Sequence, residues 1–494
     1  MSNKSIIEEY SIDTLMPNLV NGNWTVPEDT PGIQVSNPAT GNIIATVPDS
    51  TTQEVDRIVR AAHEAFISWS KTPAVQRIQI LFKLKGLLED DFENLSQIVT
   101  REHGKTLSES RGEVRRAIEN LDVAVGVPTM MQGTNLEDVA SGIDEYAVRQ
   151  PLGVFAAIAP FNFPAMVPMW FLPYAIACGN TFLVKPSEQA PLSQVRIAEL
   201  ATQAGLPNGV LSLVHGGRST VEAILDHPLI TGASFVGSTP VAKSVYERGT
   251  QNGKRMQCQG GAKNYLVVMP DAEMEPSIEN IVESAFGCAG QRCLAGSVVV
   301  AVGNAYDDVK KRLLDGAKDL IIGDGSKDGV HMGPVISETS RQRILESIEN
   351  GVNEGADILL DGRGKAVPGY DSGYFLGPTL FAEVTPEMSL AKDEIFGPVL
   401  SVMSADNLDD ALDLVDAVPF GNMACIFTSS GKAARQFSSK VKAGNVGINI
   451  GVAAPMAFFH FGGMKDSFFG DLHGQGRDAV DFFTEDKVVI ERWY

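Results

Sequence analysis

Residues 181–249, TFLVKPSEQAPLSQVRIAELATQAGLPNGVLSLVHGGRSTVEAILDHPLITGASFVGSTPVAKSVYERG, decide the fold. Short apolar runs in this stretch alternate with longer segments whose apolar residues recur every three or four positions, as in amphipathic helices. We predict strands at Thr181–Lys185, Val210–His215 and Gly232–Phe235, and helices at Leu192–Ala204, Ser219–His227 and Thr239–Gly249. Alternating strands and helices predict a parallel, doubly wound sheet that binds ligands at the carboxyl ends of its strands.

A second set of apolar runs predicts a second sheet of the same kind, with strands at Tyr265–Met269, Gly296–Ala301, Pro398–Val402 and Ala424–Phe427. Helical periodicity is clear at Gln53–Trp69 and at Ala74–Thr100. The tail Asp486–Trp493 alternates like an exposed strand, and an unpaired terminal strand often pairs with another chain. The predicted fold class is α/β, with two doubly wound parallel-sheet domains and a small β element for oligomerisation.

The charge of the 494-residue chain excludes two classes of partner. Forty Lys and Arg residues stand against 61 Asp and Glu residues, which gives a net charge of −21. Phosphate binding needs clustered positive charge, so we expect no nucleic-acid partner. The same acidity opposes electrostatic docking on an anionic membrane.

Cysteine usage and apolar runs indicate the compartment. The five cysteines, an odd number in a long chain, argue against a disulfide framework and for a reduced compartment such as the cytoplasm. The N-terminal segment MSNKSIIEEYSID is acidic and lacks the layout of a signal peptide. Residues Pro151–Cys178 are uncharged and long enough to span a bilayer, but five prolines interrupt them. We predict that this segment forms a buried strand, a loop and a packed helix.

Two short motifs are candidates for binding a nucleotide, although the usual GxGxxG fingerprint does not occur. Phe235–Thr239 (FVGST) ends a strand and opens a helix, whose free backbone N–H groups suit a phosphate. The alternative is an ordinary strand–turn–helix with an N-cap serine. Lys185–Glu188 (KPSE) follows another strand, where Lys can meet a phosphate or ribose and Glu can bind a ribose diol. The alternative there is a solvated loop.

The candidate nucleophile lies in Gly287–Gly296 (GCAGQRCLAG), a stretch of small residues that leaves room for a ligand. A thiol needs a lowered pKa to act as a nucleophile, and the neighbouring Arg292 favours the thiolate of Cys293. The alternative is a buried, inert cysteine, which we adopt for Cys178 and Cys425. No metal site is expected, because Cys288 and Cys293 lie five residues apart with no His nearby.

Asn162 is the only strongly polar side chain in Leu152–Cys178. A buried amide must find a hydrogen-bond partner. Its N–H can also stabilise an oxyanion that forms when a nucleophile attacks a carbonyl. The alternative is an asparagine that only braces its loop.

Together these segments resemble the aldehyde dehydrogenase superfamily over nearly the whole chain. The motifs that carry the resemblance are Leu19–Trp24, Asn37–Gly41, Ala159–Pro164, Lys185–Glu188, Phe235–Thr239, Gly290–Cys293, Glu394–Pro398 and Phe461–Gly463. Within the superfamily the chain is most similar to the CoA-acylating methylmalonate-semialdehyde dehydrogenases, which also take malonate semialdehyde. That closer likeness rests on Pro160–Pro168, Gly261–Asn264, Gly290–Cys293 and Ala454–Phe459.

The resemblance implies a role for each site residue. Cys293 attacks the aldehyde, and Asn162 with the Cys293 backbone N–H holds the oxyanion while hydride passes to NAD. The residues that it implies for cofactor binding are Phe161, Lys185, Ser187, Glu188, Gly237, Ser238, Glu394 and Phe396. A carboxylate at Glu188 repels a 2′-phosphate, which favours NAD over NADP.

The chain departs from the pattern of hydrolytic relatives at Gln259, where those enzymes place a glutamate that activates water. An amide cannot act as a general base. Methylmalonate-semialdehyde dehydrogenases also lack this glutamate, and the CoA thiol resolves their thioester. Gln259 therefore favours CoA as co-substrate, although another carboxylate could replace the missing base. Gln291, where close relatives often have Glu, and Ala242, where many members have Gly, are smaller departures.

The resemblance also implies a carboxylated substrate bound by Arg116 and Arg292, since guanidinium groups bind carboxylates through two parallel hydrogen bonds. The alternative for Arg116 is a surface charge, because Arg101, Arg111 and Arg115 are nearby. The implied products are acetyl- or propionyl-CoA after loss of CO₂. A second hypothesis is hydrolytic NAD-dependent oxidation of another anionic aldehyde, for example a sulfonated or carboxylated one. A third is a non-enzymatic binding protein on the same scaffold.

The resemblance further implies the domain arrangement and the assembly. We expect an NAD-binding domain at 1–132 and 151–258, a catalytic domain at 259–440, and a return to the NAD-binding and active-site region at 441–470. An oligomerisation element is expected at 133–150 and 471–494. A cytoplasmic homodimer or homotetramer is the expected form of the protein.

Overall fold

The computed structural model describes residues 5–10 and 14–494. Residues 1–4 and 11–13, part of the acidic N-terminal segment discussed above, lie outside the described residues. Among the helices that are described, none combines the length and the apolar character needed to cross a membrane.

The first sheet has eight strands and a parallel centre. In spatial order the strands are β2 (Asn23–Thr25), β1 (Asn18–Val20), β9 (Leu211–Leu213), β8 (Thr181–Lys185), β7 (Val154–Ile158), β10 (Ile230–Val236), β11 (Arg255–Gln259) and β21 (Phe468–Phe469). The five strands from β9 to β11 run parallel, whereas β1, β2 and β21 pair antiparallel at the two sides. Strands β7 and β8 are buried along their whole length, as expected for a parallel sheet covered by helices on both faces.

Helices accompany this sheet in the order that the periodicity predicts. They are α1 (Ile6–Glu9), α2 (Thr52–Trp69), α3 (Ala74–Asp90), α4 (Phe92–His103), α5 (Leu107–Ala124), α6 (Val127–Met130), α7 (Met166–Met169), α8 (Leu172–Cys178), α9 (Leu192–Gln203), α10 (Arg218–Asp226) and α11 (Thr239–Gln251). The alternation over residues 181–249 is confirmed, with bounds that differ by at most two residues from those predicted. The prediction of a strand, a loop and a helix for Pro151–Cys178 is also confirmed, as β7 and then α7 and α8.

The single helix predicted at Ala74–Thr100 is wrong in one respect, because the structure divides it at Asp91. This residue leaves helical geometry, with φ −94° and ψ 7°. Its carboxylate accepts two hydrogen bonds from the guanidinium of Arg196, at 2.9 and 2.7 Å, and further bonds from Asn94. Apolar spacing carries no signal for such a break, since the apolar faces of α3 and α4 continue on both sides of it.

The second sheet has seven strands: β14 (Asp357–Leu360), β15 (Thr379–Ala382), β16 (Val399–Ala405), β13 (Gly296–Val302), β12 (Asn264–Val268), β18 (Met423–Phe427) and β19 (Asn445–Ile448). All neighbours are parallel except β14, which pairs antiparallel with β15. Its helices are α12 (Met274–Phe286), α13 (Tyr306–Lys318), α14 (Glu338–Asn353), α15 (Ser389–Lys392), α16 (Leu408–Ala417) and α17 (Gly431–Lys440), with 3₁₀ turns at Gly287–Gly290 and Gly303–Ala305. The predicted second α/β unit is confirmed.

Three smaller sheets complete the fold. They are β3 (Gly32–Ser36) with β4 (Ile43–Pro48), β17 (Phe420–Gly421) with β20 (Met464–Lys465), and β5 (Asn135–Ala140) with β6 (Ile143–Pro151) and β22 (Thr484–Glu491). The helix α18 (Gly476–Phe482) precedes β22. The sequence analysis treated the tail strand as unpaired. In the structure one of its edges pairs antiparallel with β6, from Thr484 opposite Pro151 to Glu491 opposite Asp144.

The chain passes from the carboxyl end of the first sheet directly to the amino end of the second. Strand β11 ends at Gln259 in the first sheet, and β12 begins at Asn264 in the second, so only residues 260–263 separate them. The carboxyl ends of the parallel strands of the first sheet are therefore brought towards the amino ends of the strands of the second. Ligands of doubly wound sheets bind at the carboxyl ends, which makes the space between these two edges the candidate site.

Candidate active site between the two sheets

The segment that carries Cys293 is held by two asparagines at the amino edge of the second sheet. Asn264, the first residue of β12, and Asn422, just before β18, each donate a side-chain N–H to the Cys293 carbonyl at 2.8 Å. Before it, the backbone makes a left-handed turn in which Cys288 and Ala289 have φ near +50° and Gly290 has φ +71°. Positive φ is costly for residues with a side chain, so this turn is a strained element beside the thiol.

Asn162 lies in the loop after β7 and is 5% exposed. Its Nδ2 donates to the carbonyl of Gln291 at 3.1 Å, two residues before Cys293. The structure thus brings together the two residues that sequence reasoning chose as nucleophile and oxyanion donor.

A buried ion pair that sequence reasoning missed holds the Asn162 loop. Lys105 Nζ donates to the Asn162 carbonyl at 2.6 Å and to Glu113 Oε2 at 2.7 Å, and both charged side chains are fully buried. Glu113 Oε1 accepts from the backbone N–H groups of Ala165 and Met166. The only signal available in the sequence was a lysine and a glutamate eight residues apart, which is common on helical surfaces.

The pKa of Cys293 is not lowered overall, although the charge of Arg292 acts in that direction. Burial, with a smaller contribution from the Glu394 carboxylate, raises the pKa of the Cys293 thiol to about 12. The Arg292 guanidinium instead forms an ion pair with Glu109 at 2.9 Å. Burial alone would lower the pKa of Arg292, but the neighbouring Cys288 and Glu109 raise it. The charge of Arg292 therefore acts mainly on residues other than Cys293.

Glu109 is a second residue that the sequence analysis missed. It completes a capping box with Thr106 at the start of α5, and it also accepts a hydrogen bond from the backbone N–H of Cys288 at 2.6 Å. The capping-box pattern T-x-x-E is readable in the sequence. It predicts only the helix start, however, and carries no signal for the contact with Arg292.

The Lys185–Glu188 motif is partly buried. Lys185 is 4% exposed and its Nζ donates to Glu188 Oε2 at 3.0 Å, whereas the Glu188 side chain is 40% exposed. Burial opposes ionisation of Glu188, but the ammonium of Lys185 and hydrogen bonds lower the pKa of that carboxyl overall. Ser187 between them is also buried, and its Oγ accepts from the N–H of Gln189. A charged pair at the carboxyl end of β8 can bind ribose hydroxyls.

The turn at Phe235–Thr239 follows β10 and opens α11. Ser238 occupies the N-cap position, but within the described residues its side chain makes no capping hydrogen bond. A Cβ on Gly237 would lie 2.5 Å from the ring of Phe235, so a larger residue does not fit this turn unless the ring moves. The N-terminus of α11 can offer backbone N–H groups to an anion, and the phosphate site stays a prediction.

Glu394 and Phe396 precede β16 and face the first sheet. Glu394 Oε1 accepts from the N–H of Ala262 in the segment between the sheets, at 2.8 Å, and burial raises the pKa of this carboxyl to about 7. Phe396 has φ +51°, and its ring meets that of Phe161 edge to face, with 5.9 Å between the ring centroids. Glu394 and Phe396 line one cleft together with Asn264 and Arg292.

Arg116 lines a different cleft, formed with Asn120, Met166, Trp170, Phe461 and Gln475. Its side chain is 38% exposed and pairs with Glu119 at 3.1 Å. Arg111 and Arg115 on the same helix pair with surface glutamates instead. Arg116 therefore differs from Arg111 and Arg115, because it lines a cleft. The structure does not, however, place Arg116 and Arg292 in the same cleft.

Gln259 ends β11 and is 5% exposed. Its Nε2 donates to the Phe461 carbonyl at 3.2 Å, so the amide links the first sheet to the wall of the cleft that contains Arg116. A glutamate would have no N–H for this bond. The contact suits an amide and not a general base.

Comparison with known proteins places this geometry in a family. The model of the aldehyde dehydrogenase family matches residues 24–489. Malonate-semialdehyde dehydrogenase 2 of Geobacillus kaustophilus is 48% identical over 97% of this chain and 99% of its own, and malonate-semialdehyde dehydrogenase of Bacillus pumilus is 47% identical over 97% and 98%.

Solved structures give the same result. The methylmalonate-semialdehyde dehydrogenase of Oceanimonas doudoroffii superimposes with a TM-score of 0.96 at 43% identity, over 97% of this chain and 99% of that one. An NAD complex from Sinorhizobium meliloti, also reported under the name methylmalonate-semialdehyde dehydrogenase, gives 0.96 at 40% identity over 97% and 98%. The chain belongs to the aldehyde dehydrogenase family.

Proposed function

We propose that this protein oxidises malonate semialdehyde or methylmalonate semialdehyde with NAD, through a thioacyl intermediate on Cys293, and transfers the acyl group to CoA. The observation that carries the proposal is the contact between Asn162 and the backbone two residues before Cys293. The names of the relatives that are 47–48% identical over 97% of the chain support the substrate class.

In the proposed mechanism, the Cys293 thiol first loses its proton to solvent. The thiolate sulfur then forms a bond to the aldehyde carbon, and the carbonyl oxygen becomes an oxyanion. The Asn162 N–H and the Cys293 backbone N–H stabilise that charge. Loss of the aldehyde hydrogen with its electron pair then leaves a thioester on Cys293. Because burial raises the pKa of the thiol to about 12, attack is expected to speed up as the pH rises.

The residues at both edges fit NAD, which accepts the hydride when bound. Glu188 and Lys185 suit the adenosine ribose, and Gly237 and Ser238 at the N-terminus of α11 suit the pyrophosphate. Glu394, Phe396 and Phe161 are assigned to the nicotinamide end, with Ser187 in support of the ribose site. The NAD complex of the Sinorhizobium meliloti protein supports the choice of cofactor.

CoA is proposed as the second acceptor because Gln259 is an amide that donates to Phe461 and cannot activate water. The CoA thiolate would attack the thioester carbonyl, and Cys293 would leave as thiolate. Loss of the substrate carboxylate as CO₂ gives acetyl- or propionyl-CoA. Arg116 and Arg292 are the proposed candidates for binding that carboxylate. Because they line different clefts, each is proposed separately, and the substrate would compete with Glu119 for Arg116 or with Glu109 for Arg292.

The test is NADH formation from malonate semialdehyde with and without CoA, with identification of the product. We expect turnover to depend on CoA and to yield acetyl-CoA. Equal turnover without CoA, with a free acid as product, would instead support the hydrolytic alternative. A clear preference for a neutral aldehyde such as propanal would contradict both anionic substrates.

We also propose a cytoplasmic homodimer or homotetramer, assembled through 133–150 and 471–494. Support comes from the exposed apolar side chains of Leu136, Val488, Ile490 and Trp493 on and beside the three-stranded sheet. All five cysteines, each within the described residues, are free thiols. Light scattering of the purified chain measures the assembly, and a monomeric mass would contradict it.

A further inference from the structure

A cluster of two histidines and one carboxylate lies outside the residues assigned above. His460, His473 and Asp478 each offer one ligand atom, and these atoms all lie within 4.8 Å of one another. His473 Nδ1 is 3.5 Å from Asp478 Oδ2, and His460 Nδ1 is 3.7 Å from Asp478 Oδ1. Two ligands of a tetrahedral zinc ion, each about 2.1 Å from the metal, are separated by about 3.4 Å.

The hydrogen bonds of His473 indicate which of its nitrogens is free. Nε2 lies 3.3 Å from the carbonyl of Gly463. A carbonyl only accepts, so Nε2 must carry the proton, and Nδ1 of the neutral ring presents a lone pair. That lone pair faces Asp478 Oδ2, which is also an acceptor.

A metal cation would remove the conflict between His473 Nδ1 and Asp478 Oδ2, because both atoms could donate a lone pair to it, as in metalloproteins. A ligating histidine commonly donates its second N–H to a backbone carbonyl, which fixes the ring and its tautomer. His473 has this arrangement, and its ring is further held by stacking on Phe468, with 3.9 Å between the ring centroids. The His460 ring stacks on the other histidine at 5.1 Å and is 52% exposed, so it is free to rotate towards a shared ion.

We propose that His460, His473 and Asp478 bind one divalent transition-metal ion, with Zn²⁺ as the fitting probe. Imidazole nitrogens and one carboxylate suit Zn²⁺ better than Mg²⁺ or Ca²⁺, which prefer oxygen ligands. The three residues come from two adjoining segments, and their spacing matches no short motif. The expectation of no metal site, which considered only the cysteines, did not test this cluster.

The ion would connect the wall of the Arg116 cleft to α18. Phe461, next to His460, lines that cleft and stacks on Trp170 with 4.5 Å between the ring centroids. The Phe461 N–H already donates to the Gly474 carbonyl at 3.0 Å. A metal between His460 and Asp478 would stiffen this wall and stabilise the folded protein by mass action.

The experiment measures Zn²⁺ binding to the full chain by equilibrium dialysis, in a Cys293→Ala background so that the reactive thiol cannot contribute. We expect one zinc per chain and a rise of the thermal midpoint with zinc concentration. His460→Asn is expected to weaken binding at least tenfold and to abolish that rise, as is Asp478→Asn. His63→Asn on α2 is the control and is expected to bind zinc like the parent.

His460→Asn decides the outcome, because its half-exposed ring can be removed without disturbing the packing that His473 makes with Phe468. Equal zinc affinity of the parent and this variant would overturn the proposal. Binding of no zinc by the parent would overturn it as well. Neither result depends on the substrate or on CoA, so failure here is distinguishable from failure of the proposed function.

Discussion

The two edges that enclose the active site are built in different ways. On the first sheet, Lys185 is the last residue of β8 and Glu188 lies three residues after it, and Gly237 and Ser238 directly follow β10. The backbone N–H of Gly237 donates to the Gln259 carbonyl on the neighbouring strand at 3.1 Å. On the second sheet, Cys293 follows a left-handed turn at 288–290, and side-chain amides and buried carboxylates hold the adjoining backbone.

The difference follows from what each edge has to present. A phosphate or ribose can be bound by backbone N–H groups and a charged pair, which any strand–helix junction can supply. A nucleophile has to meet a carbonyl carbon within a few tenths of an ångström, and such accuracy requires supporting contacts from several elements. Strained backbone persists only where those contacts over-determine it.

The largest expected effect is on the rate of NADH formation when the Cys293 thiol of the second edge is removed. Cys293→Ala should lower the rate of NADH formation by roughly 10⁴-fold or more, since loss of a covalent nucleophile removes the reaction path. Cys288→Ala, in the same turn, and Cys178→Ala, in α8, should retain most of the activity. Steady-state kinetics with the aldehyde decides the matter, and a Cys293 variant with more than a hundredth of the parental rate would contradict the assignment.

The difference between the two edges also explains how much of the fold and of the candidate site could be predicted from the sequence. Strand and helix order in both sheets follows from apolar periodicity, because burial on both faces leaves long apolar runs such as Thr181–Lys185. The sequence analysis selected the turn at Phe235–Thr239 and the Lys185–Glu188 pair because they lie at the ends of strands. Their position at the first edge was therefore predictable, and their binding roles stay a prediction.

At the second edge, the sequence analysis selected only the residues that are proposed to carry the chemistry. Cys293 and Asn162 stood out as a thiol among small residues and as an amide in an apolar segment. Lys105, Glu113 and Glu109 did not, because the backbone groups that they hold in the site lie between about 50 and 180 positions away in the chain. A contact between distant charged residues leaves no periodic signal, and the break at Asp91 was missed for the same reason.

The next largest effect is expected from the buried Lys105–Glu113 ion pair, which holds the Asn162 loop. Lys105→Met leaves Glu113 charged and buried without its counter-ion, which should cost about 3–5 kcal/mol of unfolding free energy. The double variant Lys105→Met/Glu113→Gln should recover most of this loss, since Gln still accepts from Ala165. Lys85→Met, which breaks the exposed pair with Asp122, should cost less than about 1 kcal/mol. Urea unfolding measures all three, and equal losses for Lys85 and Lys105 would contradict the argument.

Removal of the proposed oxyanion donor should have a somewhat smaller effect. Asn162→Ala is expected to lower kcat roughly 10²–10³-fold, the usual cost of one such donor, with little change of the KM for NAD. The alternative, in which Asn162 only braces its loop, predicts a lower thermal midpoint with kcat reduced less than tenfold. Measuring kcat and the midpoint on the same preparation separates the two roles.

The smallest expected effect is on the pH dependence of the KM for NAD. It distinguishes one carboxylate of the second edge, Glu394, from one of the first, Glu188. Burial raises the pKa of Glu394 to about 7, whereas Lys185 helps to keep the pKa of Glu188 below its usual value. Between pH 8 and pH 6 Glu394 should pass from mostly ionised to mostly protonated, and Glu188 should stay ionised. If only the ionised form of Glu394 accepts the ribose hydroxyls, the KM for NAD should rise about tenfold over this range.

Two conservative variants test this contrast. Glu394→Gln should make the KM for NAD nearly independent of pH, because the group that titrates near neutrality is gone. Glu188→Gln should raise the KM at every pH and leave its pH dependence in place, because Glu188 does not titrate in this range. A pH dependence that survives in Glu394→Gln but vanishes in Glu188→Gln would reverse the assignment. The titrating contact with the cofactor would then lie on the first sheet, and the second edge would serve the thiol alone.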